Sequence, residues 1–192
     1  TSLALGASWI DSRKEVWSLL ADGLANCSQL THLKLHASLN DDFYSSFCHV
    51  LENLPLTHLS LTGQSMMTDM MQRHIPYHNP QALFDLLPRM TQLQELDVAC
   101  VCYSPENIEE IRKILPQCSH LQVLKLASHK AEAHGWDNLE GLLDIFDETN
   151  VEWFEMSTSM DAGLRAKALN SLYNNRRRNA TLEKLSTVQT FL

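Results

Sequence analysis

The histidines and cysteines of this 192-residue chain are spaced in ways that limit the chemistry they can do. His74 and His78 stand four apart, a two-ligand metal spacing on a helix, but Pro76 interrupts any helix there. Cys100 and Cys102 are separated by one residue, which is not a zinc-knuckle spacing, and at least one sulfur is expected to pack. Cys48 and His49 are sequence neighbours, and neighbours diverge on a helix surface. No glycine-rich phosphate loop or dinucleotide fingerprint is present. No spacing places a nucleophile beside a base. The chain therefore reads as a non-enzyme with no cofactor and no metal. Arg176-Arg177-Arg178 is the strongest basic run. It is expected to end the last helix, where cations complement the helix dipole. Contact with a phosphate or an acidic partner is the alternative.

The formal net charge is −8, which disfavours nucleic acid and anionic lipid as main partners. Five cysteines make a poor disulfide framework, so reduced, packed thiols and a cytoplasmic location are expected. Asn26-Cys27-Ser28 and Asn179-Ala180-Thr181 are sequons that matter only in a secreted protein. No apolar run approaches the roughly 18 residues of a membrane span. The first residue is Thr1 rather than Met, which reads as a start inside a longer array.

The elements that must position any site emerge when the chain is laid on itself. Cys27-Ser28-Gln29-Leu30-Thr31-His32-Leu33-Lys34-Leu35 matches Cys118-Ser119-His120-Leu121-Gln122-Val123-Leu124-Lys125-Leu126 at six of nine positions. Both contain Leu-x-x-Leu-x-Leu. The spacing recurs at Leu56, Leu59, Leu61, at Leu93, Leu96, Val98, and in weaker form at Val151, Phe154, Met156. Leu3 and Leu5 read as the end of an earlier copy, Leu182 and Leu185 as the start of a last one. The central positions are 3, 33, 59, 96, 124, 154 and 185, with intervals of 30, 26, 37, 28, 30 and 31. The long interval implies an insertion near 63–80.

Each Leu-x-Leu precedes a helix pattern. Ser12-x-x-Glu15 is a capping box before Val16, Leu19, Leu20 and Leu24. Asp41 or Asp42 can cap a helix carrying Phe43, Phe47, Val50, Leu51 and Leu54. Asn79-Pro80 leads to Leu83, Leu86 and Leu87, and Ser104-Pro105 to Ile108, Ile111 and Leu115. Asp137 precedes Leu139, Leu142, Leu143 and Phe146; Asp161 precedes Leu164, Ala168 and Leu172. The unit is strand, turn, helix, turn.

On these repeats the chain resembles the leucine-rich-repeat family, nearest its ribonuclease-inhibitor-like, helical type, over essentially its whole length. The resemblance implies an α/β fold: one solenoid domain over 1–192 of about five to six repeats, arched as a horseshoe. A parallel sheet would line the concave side and helices the convex side. The family's Asn or Cys after the last strand leucine is replaced here by Ser8, Ser38, Gln64, Val101, His129 and Ser159, so no Asn ladder is expected. No terminal cap can be read.

Alternation sends the leucines inward and the residues between them outward. The outward grid then holds His32, Lys34, His58, Glu95, Asp97, Lys125, Glu152, Trp153 and Glu155. Trp153 among acids is expected to centre a site for a basic protein partner. The alternative is that it tucks under a loop. Met66, Met67, Tyr77 and His78 in the insertion form a second candidate surface, or else a helical face packed on the array.

The expected function is a protein-binding scaffold, acting as a monomer. The irregular repeats also resemble in style bacterial effectors of this family that act in host cytosol. A substrate-recognition module of a ubiquitin ligase is one alternative. A GTPase-activating protein is another, for which Arg13, Arg73 and Arg89 are the arginines to consider.

Overall fold

The computed structural model describes residues 1–6, 14–36, 41–62, 81–98, 105–126, 139–156 and 162–189. Several sequence expectations lie outside these residues: the caps at Ser12, Asn79-Pro80, Ser104, Asp137 and Asp161, together with His74, Cys100, Cys102, Arg13 and Arg73.

The fold is α/β. Six strands form one sheet in sequential order, every pair parallel. They are β1 (Ser2–Gly6), β2 (His32–His36), β3 (His58–Thr62), β4 (Glu95–Val98), β5 (Val123–Leu126) and β6 (Trp153–Met156). A helix follows each: α1 (Lys14–Ala25), α2 (Asp41–Leu51), α3 (Gln81–Leu86), α4 (Pro105–Ile114), α5 (Leu139–Asp144) and α6 (Ala162–Gln189). Leu3, Leu33, Leu59, Leu96, Leu124 and Phe154 face one another across the five pairings. These are the first six central positions of the sequence repeat.

One sheet face is buried and the other is open. Leu33, Leu35, Leu59, Leu61, Leu96, Val98, Leu124 and Leu126 are buried, while the residues between them are exposed or half-buried. The helices supply the other half of the core through Phe43, Phe47, Val50, Leu51, Leu83, Leu86, Ile108, Ile111, Leu142, Leu143, Ala168 and Leu172.

The turns repeat as closely as the strands. Three of the helices run into a 3-10 turn, at Leu87–Arg89, Leu115–Gln117 and Ile145–Glu148. Cys118 ends one such turn, and its sulfur bonds back to the Ile114 carbonyl; Cys27 does the same to Gly23. That shared role accounts for the repeated cysteine before each of these two Leu-x-x-Leu-x-Leu copies. The carbonyl just before the outward strand residue then accepts two N–H groups from the next copy. Thr31 O takes Thr57 and His58, Thr57 O takes Gln94 and Glu95, Gln94 O takes Gln122 and Val123, and Gln122 O takes Glu152 and Trp153, all at 2.8–3.0 Å. Cys48 and Cys118 are free, and burial pushes the pKa of each thiol up to about 11, as expected of packed cysteines.

Three expectations need correction. Leu19 is not on the packed face of α1; Trp17 takes that place, with Ala21 and Leu24. Leu182 and Leu185 do not open a seventh strand, because both lie within α6. No Gly or Pro follows Gly163 in the sequence, so nothing breaks that helix before the last leucine copy. Arg176-Arg177-Arg178 sits inside α6 rather than at its end, so the helix dipole does not explain it.

Candidate functional site

The open sheet face is laid out in rows across the strands. One row runs Ser2, His32, His58, Glu95, Val123, Trp153; the next runs Ala4, Lys34, Ser60, Asp97, Lys125, Glu155. Each neighbour is about 4.8 Å from the last. Every sequence-predicted residue of the outward grid lies on this face or at its margin. Met66, Met67, Tyr77 and His78 lie outside the described residues.

Near β2 and β3 the face is a histidine cluster. The His32 and His58 rings stack with centroids 4.0 Å apart and planes 10° from parallel. Each Nδ1 hydrogen-bonds the preceding threonine hydroxyl, Thr31 at 2.8 Å and Thr57 at 2.9 Å. Both rings are thus held upright. Ser2, Ala4 and Ser60 are small, which leaves a hollow of about 190 Å³ beside the rings and Lys34.

The acids are less available than their sequence suggests. Glu95 pairs with Lys125 at 2.6 Å, diagonally across the strands, and lies 3.7 Å from His58 Nε2. Asp97 accepts from the Ser60 hydroxyl at 2.9 Å. Glu152 accepts from Asn179 Nδ2 at 2.7 Å. Glu95 is two strands from Trp153, about 10 Å away in the row. Trp153 therefore does not sit in a ring of acids. Its near neighbours on the face are Val123 and Glu155. It is 59% exposed, so it does not tuck under a loop.

Burial, the neighbouring His32 and Lys125 lower the His58 pKa from 6.5, and Glu95 opposes them. As pH falls below 6.5 the unfolded chain takes up this proton first, so His58 withdraws stability between 6.5 and its folded value. An imidazole NMR titration should place its midpoint below 6.5. Glu95→Gln should lower it further, and Lys125→Met should raise it. A wild-type midpoint at or above 6.5 contradicts this arrangement.

Sequence reading missed the network at the far edge. Asn175 of α6 is buried and donates to the carbonyls of Phe146 and Val151, each at 2.7 Å. Arg178 donates to the carbonyls of Asp147 and Thr149 and to Asn150 Oδ1. Asn179 donates to the Asn150 carbonyl. So α6 covers the turn before β6, and one member of the arginine run is structural. A helix continuing past the last leucine copy was the available signal. Arg89, weighed as a reaching arginine, pairs with Glu52 at 2.9 Å.

Among the described residues no group of three or more His, Cys, Asp or Glu side chains could hold a metal ion. Among them, too, no helix is long and apolar enough to cross a membrane. No family model matches the chain. No curated protein matches it. Solved structures do: the chain is similar to a segment of leiomodin-1 named actin-binding site 2, with a TM-score of 0.58 and 14% identity. The match covers 99% of this chain and 88% of that one. At that identity the likeness speaks for the fold alone.

Proposed function

We propose that the chain is a single leucine-rich-repeat solenoid of the ribonuclease-inhibitor-like type whose open sheet face binds a protein partner. The repeated leucine register and one helix per strand support the solenoid. Trp153 carries the binding reading. A 59%-exposed tryptophan on a strand, beside Val123, is an apolar anchor without a pocket of its own. Glu155 follows on the same face and favours a basic group next to the anchor. The leiomodin-1 segment is named as an actin-binding site, so protein binding is a use to which a similar fold is put. The chain acts by occupancy in the cytosol, without catalysis.

Affinity capture from a lysate with wild-type and Trp153→Ala protein tests the reading. A partner held by wild type and lost by the variant is the expected result. Equal recovery by both sinks the Trp153 site.

A further inference from the structure

The first and last helices carry exposed stripes of opposite charge. α1 packs inward through Trp17, Ala21 and Leu24. Its other side presents Glu15, Leu19, Asp22 and Asn26, at i, i+4, i+7 and i+11, all exposed. Leu19 is 72% exposed. α6 packs inward through Ala168, Ser171, Leu172 and Asn175. Its outer side presents Arg165, Leu169, Tyr173, Arg176 and Arg177, also exposed. Leu169 and Tyr173 are each 60% exposed, and the Arg177 guanidinium lies 5.8 Å from the Tyr173 ring centroid.

These stripes account for three of the four highly exposed large apolar side chains among the described residues; Trp153 is the fourth. The charge is segregated as well. Between 162 and 181 there are five cations and no Asp or Glu, in a chain of net charge −8. Two of the five are engaged internally: Lys167 pairs with Asp144, and Arg178 holds the turn before β6. Arg165, Arg176 and Arg177 remain on the outer stripe.

From this complementarity we infer that a second copy of this chain docks head to tail, its α1 stripe on the α6 stripe of the first. Leu19 meets Leu169 and Tyr173, and Glu15 and Asp22 face the arginines. Glu15 and Asp22 lie about 10.5 Å apart along α1 and Arg165 and Arg176 about 16.5 Å apart along α6, a difference that the long arginine side chains close by reaching inward. The two surfaces differ, so the contact is heterologous and does not close on itself as a two-fold dimer would. One helix face buries less than the roughly 1,200 Å² of a stable pair. Dilute chain is therefore monomeric, and association appears at concentrations on the order of 0.1 mM.

Sedimentation velocity on the full chain at rising concentration in low salt tests this. The mean mass should climb for wild type, and less so at high salt. Glu15→Arg with Asp22→Arg, or Arg176→Glu with Arg177→Glu, should each weaken association at least about tenfold. Mixing the two double variants should restore growth, as a head-to-tail array in which the two alternate, because each one's α1 stripe is complementary to the other's α6 stripe. All four substitutions in one chain should restore self-association. Circular dichroism checks folding, and Glu15→Gln with Asp22→Asn is a milder substitute if a reversal unfolds the chain. A wild type that stays monomeric near about 1 mM, or double variants that do not rescue one another, overturns the inference.

Discussion

Replacing Trp17 with alanine should cost about 3–5 kcal/mol of folding free energy, the range for large aromatics removed from a core. Trp17 is fully buried and meets Phe43 and Phe47 edge-on, with ring centroids 4.9 and 6.0 Å away. Phe43 and Phe47 in turn stack at 5.0 Å. The cluster joins α1 to α2, so its loss also loosens the first helix. A domain is stable by only about 5–15 kcal/mol, which makes this a large share. Trp17 Nε1 is buried and has no hydrogen-bond partner among the described residues. Trp17→Phe therefore sheds an orphan donor as it sheds volume, and its cost should be well under half that of alanine. Denaturant titration of the three proteins checks this. Equal losses for Phe and Ala would contradict it.

Asn175→Ala should cost about 2 kcal/mol, mostly through one carbonyl. Phe146 O keeps its bonds from the Thr149 amide and hydroxyl. The Val151 carbonyl loses the donor that α6 brings to it. Hydrogen exchange should then speed up in α6 and the turn before β6 before it does in β2 or β3. Uniform acceleration along the chain would mean that α6 is not a separate covering element.

The sheet was legible because leucine repeats fix both inward direction and register. Aligning Leu33, Leu59, Leu96 and Leu124 by sequence pattern pairs them as they pair in space. The outward set, including Trp153 and Glu155, followed from alternation alone. Side-chain partnerships did not follow. Asp97 faces Lys125 in register, yet Lys125 reaches diagonally to Glu95. The stack of His32 on His58 depends on two threonine hydroxyls that turn the rings upright. Periodicity also misplaced Leu19, because Trp17 fills the space against α2 and sets which side of α1 turns inward. The Leu182-x-x-Leu185 spacing fits a strand or a helix equally well, and the uninterrupted helix-forming sequence before it decides for α6.

The most direct test of the open-face reading is the affinity of the captured partner for three proteins: wild type, Trp153→Ala and Tyr173→Ala. Loss of a central tryptophan anchor costs about 2 kcal/mol or more. Trp153→Ala should therefore bind at least about 30-fold more weakly, while Tyr173→Ala, on the outer side of α6, should bind like wild type. Unchanged affinity for Trp153→Ala, or loss confined to Tyr173→Ala, would contradict the account.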